Sequence, residues 1–145
     1  MQFVFLHGAP ATGKFTVGHA LAEQTGYHFF HNHIVVDAVL ARHAFGTPGF
    51  VAERDRRWRE FFSDAATTQP WPGLIFTFNP ENTVPQAFID WLFATFSTSP
   101  LRIISIELTA EEAAVESRLG ADQRHQFKKL TDLALYRQLR ATGAF

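Results

Sequence analysis

The chain has 145 residues, a formal charge of −1, 46% hydrophobic and 19% charged residues, and no cysteine. That length and balance suit one globular domain, 1–145, with a sizeable core, and they exclude a disordered chain. Without a polybasic surface nothing argues for nucleic acid or an anionic membrane, no apolar run reaches transmembrane length, and disulfides and thiolate metal sites are excluded. The lack of cysteine, and of a basic leader before the first apolar run, suits a cytoplasmic location. Sixteen phenylalanines predict an aromatic core.

Phe3 to Leu6 is a short continuous apolar run, the pattern of a strand buried on both faces. A helix is expected from Gly13 to Thr25 with Val17, Ala20 and Leu21 inward, closed by Gly26 in a left-handed cap. Tyr27 to Phe30 is a second strand, ending in His31-Asn32-His33, with Asn32 or His33 as N-cap of a helix over Ile34 to Arg42. That helix turns Val35, Val39 and Ala38 inward, and Phe45 to Gly49 breaks it. From Phe50 to Thr67 the helical period returns, with Trp58, Phe61, Phe62 and Ala65 inside and Arg54, Asp55, Arg56, Arg57 and Arg59 on the opposite face. Leu74 to Phe78 is the third strand. Thr83 and Gln86 read as a capping box for a helix to Phe96, burying Val84, Phe88, Trp91 and Leu92. Leu101 to Leu108 is the fourth strand. Thr109 and Glu112 repeat the box for a helix to Leu119, then come a basic segment and a last helix from Thr131 to Arg140. Strands alternating with helices predict a parallel α/β sheet.

Between the first strand and first helix lies Gly8-Ala9-Pro10-Ala11-Thr12-Gly13-Lys14-Phe15-Thr16. Its spacing is that of the phosphate-binding loop GxxxxGK[ST], the Walker A pattern, with Phe15 where a Mg²⁺-binding hydroxyl is expected. Gly8, Ala11, Thr12, Gly13, Lys14, Phe15 and Thr16 are therefore the candidate phosphate-binding residues. Glycines allow close approach, the helix N-terminus offers N–H groups, and Lys14 supplies a cation. The alternative is a Gly/Pro turn with a surface lysine. The dinucleotide fingerprint G-x-G-x-x-G does not occur.

At the end of the second strand, His33 and Asp37 stand at i, i+4, so a carboxylate can hold an imidazole tautomer while the ring acts as base or orients an acceptor. The competing reading makes them polar helix-entry residues. His31 and His33 lack a third metal ligand at convincing spacing. Thr77, Asn79 and Glu81 follow the third strand, no clear Walker B acid appears, and Glu107 reads as an edge residue.

On the loop, the element order and the His-Asn-His stretch, the chain resembles the small P-loop kinases: shikimate kinase, nucleoside monophosphate kinases and chloramphenicol phosphotransferase. It also resembles a P-loop subgroup labelled AAA-type ATPase. The resemblance implies a three-layer α/β/α sandwich around a mostly parallel sheet, ATP with Mg²⁺, and a small-molecule acceptor. It implies that Thr16 contacts the α-phosphate, that residues 118–130 form a lid, and that Arg118 and Arg124 stabilise transfer alongside Lys14, His33 and Asp37. A solvated helix end is the alternative for the lid. Arg54, Arg56, Arg57 and Arg59 are minor candidates for an acceptor pocket. The family's fifth strand has no counterpart in Leu139 to Phe145, which sets the expectation of a truncated or shortened chain with an edge covered in a homo-oligomer. The leading functional expectation is a kinase; the others are a nucleotide-binding module without catalysis and an NTP hydrolase.

Overall fold

A computed structural model describes residues 1–119, 130 and 132–143. The elements are β1 (Gln2–His7), α1 (Lys14–Thr25), β2 (His28–His31), α2 (His33–Leu40), α3 (Pro48–Thr68), β3 (Gly73–Phe78), α4 (Gln86–Phe96), β4 (Arg102–Glu107), α5 (Glu112–Leu119) and α6 (Leu133–Ala141). The four strands form a parallel sheet in the order β2-β3-β1-β4. In register, His7 lies beside Phe78 and Glu107, and His31 beside Thr77, so the carboxyl ends of neighbouring strands come level.

Strand alternation sorts the core. Phe3, Phe5, Phe30, Leu74, Phe76 and Phe78 join Phe50, Trp58 and Phe62 of α3 and Phe88, Leu92 and Phe96 of α4 in one buried cluster. Phe3 stacks on Phe96 with centroids 4.1 Å apart, and Phe76 meets Phe62 edge-on at 4.8 Å, the offset and T-shaped geometries ring quadrupoles favour. α1 covers the opposite face over β1, β2 and β3. The result is a three-layer α/β/α arrangement.

The inner face of α1 differs from the sequence expectation. Lys14 and Gly18 are buried, Val17 is 43% exposed and Ala20 is exposed. Gly18 sets this: a Cβ there would stand 2.5 Å from Phe29 Cε2, so the helix approaches the sheet through a residue without a side chain. In α2, Val36 rather than Ala38 joins Val35 and Val39 inside. Asn32 precedes α2 in helical conformation and makes no side-chain cap bond. α3 begins at Pro48 because Thr47 caps it, its Oγ1 accepting from the Phe50 N–H at 3.3 Å; the turn-forming letters here also spell an N-cap and N1 proline. Gly26 closes α1 at φ 70°, as expected, its N–H donating to Ala22 O.

β4 is a sheet edge among the described residues, and Ile104 and Ile106 on it are 42% and 37% exposed. No helix of the described residues is long and apolar enough to cross a membrane.

Candidate phosphate-binding and acceptor site

The loop between β1 and α1 is built from residues whose backbone an ordinary side chain resists. Gly8 has φ 143°, and a Cβ there would lie 2.2 Å from Leu108 O, the residue that follows β4. Leu108 N–H in turn donates to His7 O at 2.8 Å, so this glycine lets two strand ends close on each other. Gly13 caps α1 at φ 99°, and Ala11 also adopts positive φ, at 63°. Lys14, 8% exposed, folds back over the loop: its Nζ donates to Gly8 O and Ala9 O at 2.6 Å each and lies 3.3 Å from Thr12 Oγ1. Thr12 Oγ1 donates to Ala9 O at 3.0 Å. A buried ammonium is thus ringed by carbonyls at a helix N-terminus, where backbone N–H groups and the helix dipole favour an anion.

Phe15 turns its ring to the α1–β2 interface, edge-on to Phe29 at 5.4 Å and to His31 at 5.2 Å. Thr16 is exposed on the first turn of α1. From the far end of the chain, Arg118 of α5 donates from Nη1 to Ala11 O at 3.3 Å, while Val115, Leu119 and Tyr136 pack with Ala11. The structure therefore brings Arg118 onto the loop. Arg124, and the lid expectation over 120–129, lie outside the described residues.

One strand further, His33 Nδ1 and Asp37 Oδ1 are 3.2 Å apart on the first turns of α2, with side chains 13% and 27% exposed. The i, i+4 pairing read from the sequence is a real contact. His28 does not join it. That ring stacks on Trp71 at 3.9 Å near the start of β2, and burial holds its pKa below the ordinary imidazole value. Among the described residues no three His, Asp or Glu side chains group to hold a metal ion.

The largest departure from the sequence reading is Arg54. Placed on the exposed face of α3, it is instead fully buried. Its guanidinium lies over the Trp58 and Phe50 rings at 4.8 and 5.4 Å. Nε and Nη2 donate to Asp55 Oδ1 at 3.2 and 3.0 Å. Nη1 donates to Glu81 Oε1 at 3.2 Å and Thr83 Oγ1 at 2.9 Å, and Nη2 also donates to Thr83 O at 2.8 Å. Thr83, expected as the cap of α4, is spent here: Pro85 occupies the N-cap position, and Gln86 bonds Asp90. The signal existed in the sequence. Arg54 lies four residues from both Phe50 and Trp58, on the stripe that continues to Phe62. Burial raises the Glu81 carboxyl above its ordinary pKa, against the pull of Arg54 and Thr83. The other α3 arginines are held elsewhere: Arg57 on Glu53, Arg56 on Glu60, and Arg59 over Trp91.

No protein-family model matches this chain, and no curated protein does. Solved structures do. A sugar kinase from Janibacter sp. HTCC2649 aligns over 99% of this chain and 95% of its own, with TM-score 0.59 and 14% identity. Shikimate kinase from Bacteroides thetaiotaomicron aligns over 97% and 80%, with TM-score 0.59 and 16% identity. Shikimate kinase from Acinetobacter baumannii, solved with shikimate, aligns over 94% and 79%, with TM-score 0.57 and 21% identity. At these identities the likeness is one of fold, and the fold of this chain is that of the P-loop kinases.

Proposed function

We propose that the chain is a P-loop kinase that binds ATP and transfers its γ-phosphoryl group to a small-molecule acceptor. The observation that carries the reading is the Gly8–Lys14 loop, with its positive-φ glycines and a buried lysine whose ammonium rests on the loop's own carbonyls. The kinase fold of the structural neighbours supports it, and one of them was solved with a small molecule, shikimate. In this reading the backbone N–H groups around Gly13 to Thr16 hold the phosphates, and Lys14 leaves Gly8 O and Ala9 O to bind them. Arg118, already on the Ala11 carbonyl, neutralises charge on the transferring group alongside Arg124. The acceptor oxygen forms its bond to the γ-phosphorus as the bond to the bridging oxygen breaks, the electron pair leaving on ADP. The acceptor proton passes to His33, whose Nδ1 Asp37 holds.

Kinases use ATP with Mg²⁺, which neutralises phosphate charge. Phe15 does not fit a metal ligand: its ring packs on Phe29 and offers no lone pair. Phosphate oxygens and waters would have to supply the ligands. That mismatch favours a second reading, a nucleotide-binding module with little catalysis; slow NTP hydrolysis stands between the two. A fluorescent ATP analogue titrated against wild type and Lys14→Ala, with and without Mg²⁺, tests the shared premise. The expected loss in Lys14→Ala is roughly tenfold or more, for one charge-assisted contact. Unchanged affinity in a folded variant refutes every nucleotide-binding reading. ADP production over an acceptor panel then separates kinase from module.

A further inference from the structure

Arg54 exhausts its guanidinium. An arginine carries five N–H donors in a fixed fork, and here all five find oxygens of Asp55, Glu81 and Thr83. Nothing is left on it for a ligand. Glu81, in contrast, spends only Oε1, which receives Arg54 and the Thr83 hydroxyl at 3.2 and 3.1 Å. Its Oε2 takes no protein bond among the described residues and is not among their buried unpartnered atoms, and the side chain keeps 21% of its surface open. Glu81 lies three residues beyond β3, the strand that runs between β1, which leads into the phosphate loop, and β2, which leads to the His33–Asp37 pair. In open parallel sheets that carboxyl edge is where ligands bind.

We propose that Glu81, fixed by Arg54 and Thr83, receives the acceptor through Oε2, and that the acceptor is therefore a neutral or ammonium-bearing hydroxyl compound rather than a carboxylate or phosphate ester. The proposal rests on the kinase reading above. The buried arginine, which would otherwise recognise an anion by its planar fork, acts instead as the clamp that orients a carboxylate. An anionic acceptor here would meet the Glu81 carboxylate with like charge. A hydroxyl or ammonium would donate to Glu81 and offset the burial that raises its pKa. The remaining α3 arginines are held elsewhere: Glu53 and Glu60 hold Arg57 and Arg56, and Arg59 lies over the Trp91 ring.

The experiment has two stages. The fluorescent ATP analogue is titrated first, and failure to bind it refutes the kinase reading without touching the chemistry assigned to Glu81. ADP production is then measured with three groups of acceptors: neutral polyols (glucose, inositol), amino sugars (glucosamine, kanamycin), and acids or phosphate esters (shikimate, gluconate, AMP). Turnover is expected in the first two groups. Glu81→Gln keeps an oxygen for Arg54 and Thr83 while making the outward atom a donor. It should raise KM for the preferred acceptor roughly ten- to hundredfold, the weight of one charged hydrogen bond, and leave affinity for the ATP analogue unchanged. Turnover confined to the acids and phosphate esters, or a KM unmoved in Glu81→Gln, overturns the proposal. So does a nucleotide-binding protein that consumes no ATP with any member of the panel.

Discussion

Replacing Arg54 by alanine tests the buried cluster most directly. The substitution removes five hydrogen bonds and two ring contacts from a side chain with no exposed surface, and it leaves Glu81 and Asp55, 21% and 17% exposed, without their cation. Removing one partner of a buried ion pair costs about 3–5 kcal/mol, because the other charge stays desolvated. With an unfolding entropy of roughly 0.3 kcal/mol/K for a chain of this length, that is a fall in Tm of about 10–16 °C. The cost depends on pH in a definite sense. Glu81 has its folded pKa raised, so its contribution to stability is present below the unfolded value and is lost as pH rises through the folded one. Without Arg54 the folded pKa rises further, and a protonated Glu81 no longer needs a counter-charge. Thermal unfolding of wild type and Arg54→Ala at pH 5 and pH 8 should therefore show the larger gap at pH 8. A loss below about 1 kcal/mol, or a gap independent of pH, would refute the picture of a buried arginine neutralising Glu81.

Gly18→Ala places a methyl 2.5 Å from Phe29 Cε2 and 3.2 Å from Thr77 Cγ2, and should cost about 1–3 kcal/mol in chemical denaturation, despite alanine's better helix propensity. Phe15→Ser, the change that restores the expected hydroxyl, removes the ring from Phe29 and His31; Tm should fall while Mg²⁺-dependent affinity for the ATP analogue rises. Constant affinity in a folded variant would separate position 15 from the nucleotide. Gly8→Ala meets Leu108 O at 2.2 Å in a conformation side chains avoid, so it should lower stability and nucleotide affinity together. His28 has a folded pKa below its ordinary value, so the unfolded chain binds the extra proton first and stability falls as pH drops through the ordinary imidazole value. His28→Gln should flatten the unfolding profile in that window.

Much of this molecule is local. Continuous apolar strands, glycine caps and helical periods are properties of neighbouring residues, so the element order and the parallel sheet could be read before any coordinates. The Gly8–Lys14 loop was legible for the same reason: its glycines and lysine belong to one short segment. The His33–Asp37 pair needed only one helical turn. What failed was the assignment of faces where a polar residue is buried or an apolar one exposed. Charge usually seeks water and valine usually avoids it, yet Arg54 is fully buried and Val17 is 43% exposed.

Sequence alone therefore determined the fold class and the Gly8–Lys14 loop, because both follow from propensity and short-range geometry. Only the tertiary structure decided that Arg54 is a clamp: the Phe50–Trp58–Phe62 stripe marks its face, but the partners that offset its burial, Glu81 and Thr83, lie 27 and 29 positions away. It likewise decided that Gly18 is the point of closest approach to the sheet. Arg118 shows the same logic at greater reach: a residue 107 positions from Ala11 touches the loop because α5 follows the strand that runs beside β1.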